Sequence, residues 1–413
     1  MKVACFTSAS YSYLDRARVL FETVREFHPD WENWLCLVDE DPQGFELYLD
    51  REDFDHVRKA RDLGIVDFEA WAFEHEVVEL CTAVKGPMLC QLLEQGYDKV
   101  IYLDPDTALF GRLDEVLELL DLHGVVLTPH QIDPDTTRSA IVDNEIGSLK
   151  FGIFNLGFVA VQRSDTGTAF ARWWRDRLLQ FCYDDVPSGL FTDQKWCNHA
   201  PVFFPDLAIL RHRGYNVASW NLSQRPLRIG IDGNITAGGD PLKFFHFTKV
   251  THVGETMLTR YSNGRNEVFE LMHWYKHRLA KHEVRDIPKD WWYFGSYANG
   301  TQISREERIA HRQRRLQGTH RANPFVQNEV HASGDRLRNS DAQVTSELDQ
   351  IVHPLARIEE GPLTSINMWW QHHVLLMLAS WRGVFPQRMR DRFRRSAAKR
   401  GPRRKLPLKQ DGA

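Results

Sequence analysis

Two aspartates, Asp104 and Asp106, follow a short apolar run in the first half of the chain. The run VIYL precedes them, and Pro105 separates them. Because a proline cannot donate to the hydrogen-bond ladder of a strand, the strand must end here, and both carboxylates lie at its exit. Two carboxylates at this spacing can bind a hard divalent cation, and oxygen ligands favour Mg²⁺ or Mn²⁺. The pair therefore predicts a metal site suited to the negative charge of a diphosphate.

The same residues fit two other interpretations. A DPD turn at the protein surface needs no function at all. The run VIYLDPDTAL also fits the DxDxT motif of a haloacid-dehalogenase-like phosphatase, in which Asp104 attacks phosphorus and Asp106 acts as acid and base. Against the phosphatase, that motif normally opens its domain, whereas roughly 100 residues precede Asp104 here. No later acidic pair of the expected kind is evident either.

The elements that must position the aspartates alternate between strand-like and helical patterns. Residues 2–7, 34–38 and 99–103 are apolar and strand-like, and residues 14–26 have helical periodicity. Strands separated by helices predict a parallel sheet with crossover connections, so the expected fold class is α/β. In such sheets ligands bind beyond the carboxyl ends of the strands, which is where the aspartates lie.

Composition and charge narrow the class of protein. Hydrophobic residues at 42% and charged residues at 26% exclude both disorder throughout and a polytopic membrane protein. The six cysteines have no CxxC spacing, so we expect no zinc site. The net charge of −4 conceals a local balance of +10 over residues 381–413. A basic tail on an acidic body predicts an anionic partner, either a lipid surface or nucleic acid.

The segment before the basic tail favours the lipid surface. The runs MWW and VLLML precede the arginines, a combination typical of an interfacial helix with an anionic-lipid anchor. No run reaches the roughly 18 uninterrupted apolar residues of a spanning helix. The opening MKVACFTSAS resembles a first strand rather than a signal peptide. We therefore expect a cytoplasmic protein, for which peripheral contact with the inner face of the membrane is an alternative to a free state. We do not expect a nucleic-acid partner.

Four motifs in a fixed order carry a resemblance to a known family. The runs DKVIYLDPDTALF, FNLGFVAV, FTDQKW and FFHFT follow one another between residues 98 and 248. This order resembles the GT-A nucleotide-sugar glycosyltransferases, and within them the family-8 retaining enzymes, over roughly residues 1–250. The resemblance implies a Rossmann-like, mostly parallel sheet flanked by helices, with a helical C-terminal extension. It also implies transfer of a sugar, with retention, from a nucleoside diphosphate sugar, UDP-linked by preference, to a glycan or other hydroxyl acceptor.

The resemblance assigns roles to residues far apart in the chain. Asp104, Asp106 and His246 match the metal ligands, and an imidazole beside two carboxylates suits Mn²⁺ better than Mg²⁺. Asp193 and Gln194 match the pair at the reacting sugar, where the aspartate grips sugar hydroxyls and the glutamine lies beside the anomeric face. From the residues alone, Asp193 could instead cap a helix and His246 could be a core histidine.

The remaining donor contacts follow from the same resemblance. Asn155 matches the asparagine that contacts the donor sugar, although an asparagine beside Gly157 is also an ordinary turn residue. Lys249 lies three residues after His246, where family members have a glycine and then a lysine. Further candidates for the donor site are Thr7, Tyr11, Asp39 and Lys85, although Lys85 could also be an ordinary surface lysine. The stretch 214–222, with Asn216, Trp220 and Asn221, offers the ring and amides that sugar sites use, or an ordinary strand and turn.

These patterns divide the chain into four predicted parts. They are a catalytic domain (1–264), a helical acceptor-side extension (265–304), a polar linker-like region (305–360), and an amphipathic and basic tail (361–413). We expect a role in cell-surface polysaccharide biosynthesis. Besides the phosphatase, a non-catalytic carbohydrate-binding protein on a decayed transferase fold is an alternative, which the complete set of motifs disfavours.

Overall fold

A seven-stranded sheet lies at the centre of the protein. The computed structural model describes residues 1–248, 253–262, 264–288 and 290–326. The strands are β1 Val3–Ala9, β2 Glu32–Leu37, β3 His56–Lys59, β4 Lys99–Leu103, β5 Thr107–Leu109, β6 Val125–Pro129, β7 Phe154–Gln162, β8 Leu207–Ile209, β9 Leu227–Ile229, β10 Ile235–Ala237, β11 Asp240–Pro241 and β12 Phe244–His246. The helices are α1 Leu14–Phe27, α2 Phe68–Phe73, α3 Val77–Ala83, α4 Lys85–Glu94, α5 Asp114–Leu122, α6 Arg138–Ala140, α7 Ile146–Phe151, α8 Asp165–Phe181, α9 Ala200–Phe203, α10 Val253–Tyr261, α11 Glu267–Lys281 and α12 Arg305–Leu316.

The sheet has the strand order β3-β2-β1-β4-β7-β6-β8. All neighbouring pairs are parallel except those of β7, which runs antiparallel to both β4 and β6. Helices cover both faces, because crossover connections between parallel strands must pass over the sheet. The α/β class and the mostly parallel sheet predicted from the sequence are confirmed.

Alternate residues of β4 enter two separate apolar layers. Val100 and Tyr102 pack on one face with Trp174 of α8, while Ile101 and Leu103 pack on the other face with the side chains of α1. This alternation follows from the two-residue period of a strand. A strand buried on both faces leaves no freedom in register, so the position at which β4 ends is fixed by its core.

A second, two-stranded sheet joins β12, near the end of the predicted catalytic domain, to β5 in its middle. Strand β12 runs antiparallel to β5, with His246 opposite Thr107 and Phe245 opposite Ala108. The segment beyond β12 is held by α11, where the ring of Phe247 stacks on Tyr275 with centroids 3.9 Å apart. This pairing brings residue 246 next to the turn that follows β4.

Helix α12 packs against the body of the protein through charged residues. Residues 1–328 form one compact unit, which includes this helix. We predicted the region from residue 305 as polar and linker-like, yet Arg308 is 2% exposed. Its guanidinium donates to the carbonyls of Phe73 (3.0 Å), His75 (2.6 Å) and Phe294 (2.8 Å). The polar composition is therefore used inside the protein, whereas the predicted division into four parts stays a prediction.

Replacing Arg308 by alanine is expected to lower the free energy of unfolding by about 3 kcal/mol, because buried carbonyls lose their donors. Urea denaturation of the full chain measures this change. The matched control is Arg314→Ala on the exposed side of the same helix, with an expected change within about 0.5 kcal/mol. Equal unfolding midpoints for the two variants would contradict a stabilising role for the buried guanidinium.

Among the described residues, the structure contains no helix that is both long enough and apolar enough to span a membrane. The predicted tail, residues 361–413, lies outside the described residues, and so does most of the predicted linker-like region.

Candidate functional site

A tight turn after β4 places the two aspartates. The amide of Asp104 donates to the carbonyl of Gly157 on β7 at 2.8 Å, which continues the ladder by one residue. The carbonyl of Asp104 then accepts from the amide (3.1 Å) and the hydroxyl (2.6 Å) of Thr107, which closes the turn over Pro105. Both carboxylates lie beyond the end of the strand, as the sequence predicted.

His246 reaches these carboxylates through the pairing of β12 with β5. Its Nε2 lies 3.0 Å from Asp106 Oδ1 and 3.6 Å from Asp104 Oδ2. One ligand atom from each of the three residues lies within 4.8 Å of the others. The amide of Phe247 donates to the carbonyl of Asp106 at 2.7 Å and fixes the end of β12. The three predicted metal ligands therefore meet, although 140 positions separate Asp106 from His246.

The electrostatics of this triad are those of an ion pair. Burial acts to lower the pKa of His246, but the charges of Asp106 and Asp104 outweigh it, and the pKa is raised. Burial acts to raise the pKa of Asp106, but the charge and hydrogen bond of His246 bring it below its usual range. The two carboxylates thus favour a positive charge beside them, here that of the imidazolium of His246. The donor set of two carboxylates and one imidazole fits Mn²⁺, and also Mg²⁺ with added waters.

A glycine makes room for the imidazole. Gly157 lies on β7 against His246, and a Cβ at this position would be 2.5 Å from His246 Cε1 and 2.7 Å from Nδ1. The same Cβ would be 2.7 Å from Asn155 Oδ1. Any side chain at residue 157 must therefore displace a member of the site. The glycine of the FNLG run is required by this close approach.

We expect Gly157→Ala to weaken binding of Mn²⁺ at least tenfold, because the added methyl group moves the imidazole away from the carboxylates. Titration calorimetry of the full chain with MnCl₂ measures the affinity. Gly147→Ala is the control, since a Cβ there meets nothing within 4 Å. Both variants should keep the far-UV circular dichroism of the parent. An unchanged affinity in Gly157→Ala would mean that His246 is not a ligand.

Lys85 connects the triad to the predicted sugar-binding aspartate. Its Nζ lies 3.1 Å from Asp104 Oδ1, 2.9 Å from Asp193 Oδ2 and 3.0 Å from the carbonyl of Leu156. Burial acts to lower the pKa of Lys85, but the two carboxylates raise it well above its usual value, so the ammonium stays charged. Burial also raises the pKa of Asp193, and the charge of Lys85 opposes that shift. Lys85 is 2% exposed, which excludes a surface lysine.

The predicted asparagine and glutamine lie together beside this lysine. Gln194 Oε1 accepts from Asn155 Nδ2 at 3.3 Å and from the amide of Leu156 at 3.2 Å. Gln194 Nε2 donates to the carbonyl of Phe151 at 3.2 Å. Asp193 makes no helix cap, because its carboxylate faces Lys85 and the hydroxyl of Thr192. Asn155, Asp193 and Gln194 are thus brought to one place, next to the metal triad.

Further residues of the site were missed in the sequence. Tyr102 donates from its hydroxyl to Asp104 Oδ1 at 2.6 Å. Thr128 accepts from Asn216 Nδ2 at 2.8 Å, and His130 Nε2 lies 3.2 Å from Asn155 Nδ2. The sequence held a signal for each of them. Residues 128 and 130 fall at the end of a predicted strand, where ligands bind, and Tyr102 lies two residues before Asp104, on the same face of its strand.

The stretch 214–222 contributes to the site as an irregular loop. Asn216 has a left-handed backbone with φ of 51°. Its Nδ2 also donates to Asn155 Oδ1 at 3.0 Å, so it orients the amide of Asn155. Trp220 meets His246 edge to face, with ring centroids 5.2 Å apart. These residues form turns rather than a strand, and their part in sugar binding stays a prediction.

The candidates at the ends of β1 and β2 form a second cluster. Asp39 Oδ2 accepts from the amide of Tyr11 at 3.2 Å, and Asp39 Oδ1 accepts from the amide of Tyr293 at 2.8 Å. Burial raises the pKa of Asp39 to about 7. Tyr11 is 3% exposed and its hydroxyl is used by Asp41, so its ring is packed inside the protein, and Thr7 is fully buried. Lys249 lies outside the described residues.

Two proteins of Bacillus subtilis (strain 168) are similar to this chain in sequence. The uncharacterized protein YfnF is 24% identical over 254 residues, which are 59% of this chain and 81% of YfnF. The uncharacterized protein YfnD is 23% identical over 256 residues, which are 60% of this chain and 78% of YfnD. No protein-family model matches the chain.

Solved structures similar to this chain include several glycosyltransferases. The galactosyltransferase LgtC, in complex with donor and acceptor sugar analogs, is 17% identical, with 70% of this chain and 98% of LgtC covered and a TM-score of 0.40. The apo form of the glycosyltransferase GlyE of Streptococcus pneumoniae TIGR4 is 16% identical, with a TM-score of 0.39. The match covers 68% of this chain but less than two thirds, 64%, of GlyE. At these similarities a functional proposal must depend on the site itself.

Proposed function

We propose that this chain is a GT-A glycosyltransferase of the retaining, family-8 type, which moves a sugar from a nucleoside diphosphate sugar to a hydroxyl acceptor with the help of a divalent metal. The observation that carries the proposal is the convergence of Asp104, Asp106 and His246, with ligand atoms within 4.8 Å of one another, beside the Lys85–Asp193 pair. UDP is the favoured nucleotide, by resemblance.

The residues of the triad would hold Mn²⁺ or Mg²⁺. When bound, such an ion neutralises the charge that grows on a departing diphosphate. The chain itself supplies the fixed geometry. The turn after β4 holds Asp104 and Asp106 at the end of the sheet, and the ladder of β12 with β5 holds His246 against them. Little reorganisation is then needed when substrate binds, which favours the transition state.

The sugar would lie beside Asp193 and Gln194. The ammonium of Lys85, at 2.9 Å, favours the charged form of the Asp193 carboxylate, which could accept hydrogen bonds from sugar hydroxyls. The amide of Gln194 is held by Asn155 and by the backbone on both of its polar atoms, which fixes its orientation, and it would lie beside the anomeric carbon. The acceptor hydroxyl would attack on the face from which the diphosphate leaves, and retention follows.

The phosphatase alternative is disfavoured by the surroundings of Asp104. One of its oxygens already accepts from Lys85 and Tyr102, and the other lies 3.6 Å from His246 Nε2. The second oxygen faces Asp106 and His246, which together fit a metal site rather than the surroundings of a phosphoryl nucleophile. Hydrolysis of any donor, or transfer from it, would exclude a carbohydrate-binding protein without catalysis. Detection of an aspartyl-phosphate on Asp104 would favour the phosphatase.

A thermal-shift screen of sugar nucleotides with and without MnCl₂ tests the proposal. A donor at 100 times its Kd stabilises the folded protein by about 2.7 kcal/mol, so the melting temperature should rise for one donor and only with metal. Release of the nucleoside diphosphate and the anomeric configuration of the product, by NMR, complete the assignment. A protein that neither binds nor cleaves any UDP-, GDP- or dTDP-sugar would contradict the proposal.

The cellular setting is also part of the proposal. A cytoplasmic enzyme of surface polysaccharide synthesis would meet its acceptor at the inner face of the membrane, and the basic residues of 381–413 favour such contact. Sedimentation with anionic liposomes, comparing the intact chain with residues 1–360, tests the tail. Equal recovery of both proteins in the supernatant would rule out the tail as an anchor.

A further inference from the structure

The segment between β6 and β7 exposes large apolar side chains along one side. The exposed fractions are Val142 50%, Ile146 51%, Leu149 68% and Ile153 44%. The first three, spaced four and three residues apart, fall on one side of the π-helical turn 141–145 and the α7 helix that continues it, and Ile153 follows just beyond the end of α7. We call these four residues the apolar stripe. Large apolar side chains exposed together on one element can mark a binding surface.

The opposite face of the same segment is anchored to the protein. Asn144 donates to Asp135 Oδ2 at 3.1 Å and to Ser223 Oγ at 3.3 Å. Asp143 accepts from the hydroxyl of Tyr261 at 2.7 Å and is paired with Arg260. Residues 141–145 form a π-helical turn, a feature frequent at functional sites. The stripe is therefore the outer face of a fixed element rather than a misplaced core.

The stripe ends at the proposed reaction site. The carbonyl of Phe151 accepts from Gln194 Nε2, and a Cβ on Gly152 would be 3.0 Å from Gln194 Cγ. The carbonyl of Ile153 accepts from the amide of His130 at 2.9 Å. A molecule lying along the stripe would thus have one end beside Gln194 and His130.

Two basic side chains belong to the same segment as the stripe. Arg138 precedes it and Lys150 lies within it, with Nζ 4.7 Å from the ring of Phe151. Both side chains are exposed. An apolar face bordered by basic residues is typical of an element that meets amphiphiles at a lipid interface. The helical positions 142–151 extend over about 14 Å, enough for a medium-length alkyl chain.

We propose that the stripe binds the hydrocarbon part of a glycolipid acceptor whose sugar head presents its hydroxyl at Gln194. This inference rests on the proposed function, since it names the acceptor class of the same site. The stripe is continuous with the reaction site, and this continuity favours an acceptor over a protein partner or a second copy of the chain. The occupant needs an apolar tail, a polar head at the Gln194 end and no fixed fold of its own.

Binding of alkyl maltosides to the full chain, without donor or metal, tests the inference. Titration calorimetry below the critical micelle concentration compares decyl with methyl maltoside. A decyl maltoside with a diazirine in its chain then reports the contact residues by mass spectrometry. The test variant is Ile146→Gln with Leu149→Gln. The control is Leu122→Gln with Ile231→Gln, because residues 122 and 231 are 75% and 111% exposed and lie outside the stripe.

We expect decyl maltoside to bind at least tenfold more tightly than methyl maltoside, with labels in residues 142–153. The stripe variant should lose this affinity at least tenfold, and the control variant should keep it within twofold. Equal binding by the stripe variant and the parent, or no dependence on chain length, overturns the inference. So does a stripe variant that loses only anionic-liposome binding or only self-association.

The outcome is separable from that of the proposed function. If binding does not depend on the length of the alkyl chain but donor turnover is normal, only the acceptor assignment is wrong. If binding depends on the length of the alkyl chain but the protein uses no sugar nucleotide as donor, only the proposed transferase activity is wrong.

Discussion

Asp104→Asn together with Asp106→Asn is expected to abolish sugar transfer, with kcat/KM reduced at least about 10³-fold, while the fold is kept. The amides keep the shape of the carboxylates but remove both negative charges, so the site no longer attracts a divalent cation beside His246. A thousandfold loss corresponds to about 4 kcal/mol of transition-state stabilisation, which is in the range for loss of a metal. Release of the nucleoside diphosphate measures turnover, and calorimetry with MnCl₂ measures the metal.

The control for charge is Asp30→Asn with Asp50→Asn, two exposed aspartates away from the site. That variant should keep both turnover and Mn²⁺ affinity. The site variant should keep the circular dichroism of the parent. Full activity of the site variant in the presence of EDTA would refute metal-assisted transfer.

Lys85→Met is expected to reduce kcat/KM about 10³-fold and to lower the free energy of unfolding by 3 kcal/mol or more, on the order of the effect of breaking a buried ion pair. The ammonium lies within 3.1 Å of Asp104 and within 2.9 Å of Asp193, and it is almost fully buried. Without it, two carboxylates face each other unpaired, and the pKa of Asp193 rises further because a neighbouring negative charge and burial both favour its protonated form. A neutral Asp193 holds sugar hydroxyls less tightly.

A second variant separates the structural effect of Lys85 from the functional one. Adding Asp193→Asn to Lys85→Met removes the unpaired charge, so stability should recover in part while turnover stays low. Lys2→Met, at an exposed lysine, is the matched control and should change neither quantity. Recovery of turnover in the double variant would mean that Lys85 only neutralises Asp193. Urea denaturation and nucleoside diphosphate release give the two readouts.

Local sequence patterns were enough to predict the end of β4 and the class of the sheet. The apolar run before Asp104, ended by Pro105, determined that two carboxylates leave a buried strand together, because proline stops the ladder. The alternation of strands and helices determined the parallel sheet. Neither conclusion needed knowledge of distant contacts, and both are confirmed by the course of β4 and its neighbours.

The family resemblance brought distant residues into the hypothesis, but local patterns could not say how they meet. His246 joins the aspartates only because β12 pairs with β5 in one particular register. A shift of one residue would turn the imidazole to the other face, since side chains alternate along a strand.

Other features have no local signature at all. Lys85 could have been a surface lysine. Only the packing of α4 against β4 brings its ammonium between the carboxylates of Asp104 and Asp193. Arg308 lies in a sequence that suggests solvent, yet it donates to two carbonyls of a distant segment, those of Phe73 and His75, and to that of Phe294. The sequence by itself determined which groups leave the sheet at its carboxyl edge, because strand ends depend on neighbours in the chain. The tertiary structure decided which of them share charge and hydrogen bonds, because those depend on the register and packing of elements far apart in sequence.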